Sequence, residues 1–186
     1  MEKGHTQSVN YMITLLKEKL LLKKKFNFLD LGCGNGWVVK KISRNKFCNL
    51  AVGIDGAKNM IRNAKENSNN EIFINENIEN WNFDTKFDII FSMETLYYMK
   101  NINDLIDNIS KNLLKENGSI IIGIDHYSEN TPSLTWGEDY NLDINTLSSI
   151  QWKKLFTKNK FQNIEIEFFG KKDDWNGTMI LYAENS

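Results

Sequence analysis

Short apolar runs alternate along this chain with stretches in which apolar positions recur every three or four residues. The first pattern suits strands and the second suits helices packed on them by one face. Strands are predicted at 26–31, 50–55, 71–75, 87–93, 118–125, 163–170 and 177–184, and helices at 36–46, 57–68, 102–115 and 146–159. Phe87–Phe91 and Ile120–Ile124 are nearly continuous apolar runs, as in strands covered on both faces. An amphipathic helix is predicted from Ser8 to Lys25, with Tyr11, Leu15, Leu16, Lys19 and Leu22 at helical spacing and Lys23-Lys24-Lys25 closing it. Strands alternating with helices predict a parallel sheet with helices on both sides. The last two strands are joined by Lys171–Gly177 with no helix between, so they should pair antiparallel. The predicted fold is therefore α/β: a doubly wound, mostly parallel seven-stranded sheet, helices on both faces and a C-terminal antiparallel hairpin. No repeat or linker divides the chain, and residues 1–186 read as one domain.

Where the first strand ends, the sequence runs Phe28-Leu29-Asp30-Leu31-Gly32-Cys33-Gly34-Asn35-Gly36-Trp37. An apolar run, an acid, three glycines at alternate positions and a helix start together describe a loop through which a ligand approaches the main chain. A dinucleotide loop would space its glycines G-x-G-x-x-G, which puts Trp37 where the third glycine belongs; a phosphate-binding P-loop needs a lysine that is absent here. Asp55 ends the second strand, where a carboxylate can accept both hydroxyls of a ribose. It is also an N-cap candidate for the helix that begins near Ala57.

The glycine segment resembles motif I of the class I S-adenosylmethionine-dependent methyltransferases, D/E-x-G-x-G-x-G, and the tracts Ser92–Tyr98 and Asp125–Asn130 are similar to small archaeal and bacterial members. The resemblance covers nearly the whole chain. It implies S-adenosyl-L-methionine as cofactor and S-adenosyl-L-homocysteine as product. It implies a loop formed by Gly32, Cys33, Gly34 and Gly36, with Asp30 orienting that loop or meeting the cofactor's amino group. Asp55 and Gly56 would stand at the ribose. Asn77, where many members carry aspartate, and Ile78 would meet the adenine, and Ser92 and Met93 would offer backbone carbonyls near the amino group.

Methyl transfer to a nucleophile depends mainly on positioning, with a base needed only for an acceptor that arrives protonated. Candidates follow the fourth and fifth strands, in Met93–Tyr98 and Gly123–Tyr127. Glu94 can bind a cation, act as a base or touch the cofactor. Of Tyr97 and Tyr98, one is expected to pack and the other to wall the pocket. His126 is a candidate base, with a satisfied loop histidine as its alternative reading. Catalytic candidates are thus Glu94, His126 and Tyr98. The stretch 127–145, with Trp136 and Tyr140, is expected as a substrate-covering insertion, and 1–25 as a lid beside it.

Composition narrows the acceptor. Net charge is −1, and Arg44 and Arg62 are the only arginines. A basic stripe of the kind that holds nucleic acid is missing, so a nucleic-acid acceptor would need a partner to supply affinity. Two cysteines make neither a disulfide framework nor a metal set. Neither a signal peptide nor a membrane-length apolar run is present in the sequence, which predicts a cytoplasmic protein with no membrane association. The acceptor is expected to be a small molecule. Other readings are a methyltransferase of RNA or protein working with a partner, and a cofactor-binding regulator without turnover. Some archaeal relatives pair with a small zinc-binding activator subunit through an edge strand, and Ile72-Phe73-Ile74 would be that strand here.

Overall fold

Phe28 stands between Ala51 and Ile89 in the sheet, and this three-strand register is the spine of the molecule. The computed structural model describes every residue except 1, 21–23 and 67. Strand β1 (Phe26–Leu31) runs parallel to β2 (Cys48–Asp55) on one side and to β4 (Phe87–Met93) on the other. Strand β3 (Ile72–Asn75) lies outside β2, and β5 (Leu114–Ile124) lies beyond β4, both parallel to their neighbours. The last two strands, β6 (Phe161–Phe169) and β7 (Thr178–Asn185), pair antiparallel, and β7 inserts between β5 and β6. The order is β3-β2-β1-β4-β5-β7-β6, the doubly wound sheet with an antiparallel hairpin that the sequence predicts.

Successive strand residues point to opposite faces, so Phe28 and Leu29 belong to different cores. On one face α1 (Glu2–Leu20) lays Val9, Met12, Ile13 and Leu16 against Phe28, Phe91, Ile121 and Ile180, with Val38 and Ile42 of α2 (Trp37–Ser43) beside them. Ile61 and Ala64 of α3 (Lys58–Lys65) pack on Ala51 and Phe73. On the opposite face Leu29, Ile90 and Ile122 meet Leu105 and Ile106 of α4 (Ile102–Asn108) and Trp152 and Phe156 of the helix Ser149–Lys158, called α6 because the short α5 (Trp136–Asp139) precedes it. Ser148 and Gln151 form a reciprocal capping box at the start of α6.

Three details depart from expectation. Helix α1 begins at Glu2 rather than Ser8, which brings His5 into the helix; the predicted end at Lys25 falls partly on residues 21–23, outside the described residues. The helix predicted over 102–115 gives way to a π turn at Ile109–Leu113. Leu114 then pairs with Phe87 and Ser119 with Ile89, so Lys115–Gly118 turn out between them with Asn117 in the left-handed region. Among the described residues no helix is long and apolar enough to cross a membrane.

Candidate functional site

Strand order reverses between β1 and β4, and at such a switch point the loops leaving the carboxyl ends diverge and open a crevice. A cavity of about 400 Å³ lies there. Its wall includes Asp30, Gly32, Cys33, Gly34, Asp55, Gly56, Ile78, Met93, Glu94 and Tyr98, so ten of the residues singled out from sequence face one space. A second hollow shares Gly56, Ile78 and Met99 with it and adds Asn75, Glu76 and Asn77.

The glycine loop takes its shape from positive φ angles: Gly32, Gly34 and Gly36 have φ of 77°, 53° and 75°, which other residues adopt at a cost. Asp55 pins the loop, its Oδ2 accepting the Gly34 N–H at 2.9 Å and its Oδ1 accepting the Ala57 N–H at 2.7 Å. Each oxygen keeps a second acceptor site. The N-cap of α3 is Ala57, not Asp55, because the carboxylate reaches the cap's own N–H instead of the next turn. Gly36 faces away from the cavity: a Cβ there would come within 2.4 Å of the Phe73 ring, so this glycine serves helix–strand packing. Cys33 fits against Gly53, and burial pushes its thiol upward, away from the reactive thiolate.

Asp30 is 2% exposed and its side chain accepts no hydrogen bond among the described residues. Burial, reinforced by the nearby Asp55 charge, pushes its carboxyl up to about 8. Ser92 does not line the cavity, since its hydroxyl donates to Leu31 O at 2.8 Å and ties β4 to β1. Asn77 Oδ1 accepts the Glu79 N–H at 3.0 Å, capping the turn Ile78–Asn80, and the residue lines the second hollow.

Glu94 sits just past β4 with φ of 55°, an uncommon conformation for a residue with a side chain. Its Oε2 accepts from Tyr97 Oη at 2.8 Å, and its Oε1 accepts the Asp125 N–H. Burial first, and then the Asp125 charge, pushes its carboxyl up to about 8. Tyr97 is buried and Tyr98, 40% exposed, lines the cavity, which gives one packing and one pocket tyrosine.

His126 is not brought to the cavity. It is 1% exposed, with Nδ1 2.9 Å from Ser133 O, Nε2 2.8 Å from Thr146 Oγ1 and its ring near Tyr97 and Trp136. Both ring nitrogens are occupied in holding the loop, so the satisfied-histidine reading fits and the base reading has no geometry behind it. The stretch 127–145 contributes no residue to the cavity wall; Trp136 stacks on Trp175 and Asn145 bonds Tyr97 O and Met99 O, bracing the turn behind Tyr98.

The residue missed from sequence is His5. Helix α1 carries it into the cavity wall with Val9, its Nδ1 3.8 Å from Asp125 Oδ2. The signal was present: positions 5, 9, 12 and 16 share one helical face, and the last three form the buried seam. No Lys or Arg lines the cavity among the described residues, and no group of three metal-ligating side chains is placed to hold an ion among them.

A family profile described as a methyltransferase domain matches residues 29–122, and the chain belongs to that family. It is 37% identical over 116 residues, 59% of this chain and 44% of the relative, to malonyl-acyl-carrier-protein O-methyltransferase 2 of Ilyobacter polytropus. It spans less than half the length of the curated relatives it matches. Its fold superposes on a chain of the complex between the Haloferax volcanii Trm112 methyltransferase activator and a methyltransferase, with TM-score 0.83, 20% identity and coverage of 99% of this chain and 92% of that one. It also superposes on the N-methyltransferase NodS of Bradyrhizobium japonicum in complex with S-adenosyl-L-homocysteine, with TM-score 0.73, 19% identity and coverage of 95% and 86%.

Proposed function

We propose that this chain is an S-adenosylmethionine-dependent methyltransferase acting on a small-molecule acceptor. The observation that carries the reading is the convergence of the glycine loop, Asp30, Asp55, Ile78 and Glu94 on one cavity at the switch point. The residues fit the cofactor's parts. Asp55, already fixed by two N–H groups, has acceptor capacity left for ribose hydroxyls. Asp30, buried without a partner, suits the cofactor's ammonium, and Ile78 offers an apolar face to adenine with Asn77 at the rim. When bound, the cofactor supplies an electrophilic methyl on sulfonium; the protein's share is orientation and exclusion of water.

Glu94 and Tyr98 stand at the acceptor end, and His126 has a holding role in the adjoining loop. Helix α1 acts as the lid, through His5 and Val9, while 127–145 supports the wall from behind. A wall without Lys or Arg among the described residues supports a small acceptor over nucleic acid. The free thiols Cys33 and Cys48 agree with a cytoplasmic protein.

A partner remains part of this reading. Strand β3 is an edge of only four residues, its outer side unpaired among the described residues and Ile72 40% exposed, and a small zinc-binding activator subunit pairing there fits the neighbour solved with its activator. Such a partner would also be the route to an RNA or protein acceptor.

Thermal unfolding with S-adenosylmethionine, S-adenosylhomocysteine or NAD tests the cofactor. At roughly a hundred times its Kd a ligand stabilises by about 2.7 kcal/mol, a shift of several degrees. Both sulfur nucleotides are expected to raise Tm, NAD to leave it alone, and Asp55→Ala to lose most of the rise. Stabilisation by NAD alone would sink the reading.

A further inference from the structure

We infer that the acceptor is an amine, held as its ammonium by Glu94 with Asp125 behind it and His5 beside them. The inference rests on the methyltransferase reading above and names the substrate class of the same cavity.

Two carboxylates lie together just past the ends of β4 and β5, beside the cavity. Glu94 is on the wall, and Asp125, 7% exposed, gives its N–H to Glu94 Oε1. Asp125 Oδ1 is fully buried with no hydrogen-bond partner, and Oδ2 has His5 Nδ1 at 3.8 Å. No Lys or Arg lines the cavity among the described residues. Burying two acidic groups with only the His5 imidazole as a potential cation on the wall among the described residues is unfavourable, and a cationic ligand with N–H donors beside Glu94 relieves the charge imbalance. Burial raises the carboxyls of both residues, with the Asp125 charge adding to the shift at Glu94 and with Thr178 and His5 opposing it at Asp125.

An ammonium meets these needs, with three donors in a compact head. A carboxylate acceptor does not, because it would add a third acid beside Glu94 and Asp125 with no Lys or Arg on the wall among the described residues to offset it. This separates the chain from the carboxyl chemistry that the name of its malonyl relative suggests, although the cofactor half is alike. A catechol or alcohol can donate its O–H but brings no positive charge to the two acids.

Transfer balances with the residues present. The ammonium gives one proton to the Glu94 carboxylate, its freed lone pair forms the N–CH3 bond, and the S–CH3 bond breaks with its pair going to sulfur. A methylammonium and a neutral thioether remain.

Sinefungin probes the site without knowledge of the acceptor, because it carries an ammonium on the carbon that replaces the methyl-bearing sulfur. Calorimetry on the full chain should show sinefungin binding roughly tenfold or more tighter than S-adenosylhomocysteine, a charge-assisted contact's worth. Glu94→Gln, which keeps the acceptor for the Asp125 N–H, and Asp125→Asn should each bring the ratio of the two affinities toward one. Equal affinities in the parent protein, or a ratio untouched by both substitutions, would overturn the amine assignment. Failure of both ligands to bind would instead count against the cofactor reading, so the two failures are distinguishable. With labelled S-adenosylmethionine, label should enter a pool of small aliphatic amines; label entering a carboxylate or catechol pool overturns the inference.

Discussion

At the scale of single residues, the site is marked by acids whose burial disfavours their charged forms. Asp30 and Glu94 have carboxyls pushed up to about 8, from ordinary values near 4. Between those ordinary values and 8 the folded protein keeps protons that the unfolded chain has released. Stability must therefore fall as pH rises through that window, and the contribution of these groups is fully present only below it. Glu71, whose carboxyl is lowered by its hydrogen bonds from Ser43 and Asn69, acts below the window and does not offset it. Urea midpoints of the ligand-free protein should drop between pH 5 and pH 8.5, and Glu94→Gln, which cannot ionise, should flatten part of the slope. A midpoint that stays flat over this range would show that both carboxyls titrate normally.

Elements decide which residues reach the cavity, and here the limits of sequence reading have physical causes. The glycine loop, Asp55, Glu94 and the strand ends were legible, because each is fixed by its place on a strand whose apolar run marks its length. His5 was hidden because the helix start was placed by its strongest apolar residues, while the polar turn before them is held by tertiary packing. His126 misled for the opposite reason: its position past β5 suits a base, but its partners Ser133 and Thr146 come from an irregular stretch with no periodic signal. The docking of α1 is therefore an energetic question. Its seam of Val9, Met12, Ile13 and Leu16 is almost wholly buried, whereas the Lys19–Glu165 pair at 2.7 Å is exposed. Leu16→Ala should cost about 2–5 kcal/mol by leaving a cavity. Lys19→Ala should cost about 1 kcal/mol or less, since exposed ion pairs are screened and entropically taxed. Urea unfolding of the two variants checks the ranking; equal losses would mean that surface charge and not the apolar seam holds the helix.

For the whole molecule, the order of the strands fixes how the chain can fold. The cofactor half, β1 to β4 with α2 and α3, is built from neighbours in sequence, but β7 is the last segment of the described chain and an inner strand of the sheet. It pairs Ser119 with Glu184 through Ile124 with Met179 on one side and holds β6 on the other, with Met179, Leu181 and Ala183 buried in the core that also contains Ile120 and Ile122. Without it β5 becomes an exposed apolar edge and β6 has nothing to pair with, so the loss is not local. Long-range pairing of this kind also makes closure late, because most of the chain must be present before the strand can insert. Ending the chain after Gly177 should therefore abolish the cooperative unfolding transition, while removing Ser186 alone should leave it intact. Adding a peptide of residues 178–186 to the shortened chain should restore part of the transition, as strand complementation does. A shortened chain that still unfolds cooperatively without the peptide would show that β1 to β5 and their helices form a self-sufficient unit, with the hairpin only an appendage to it.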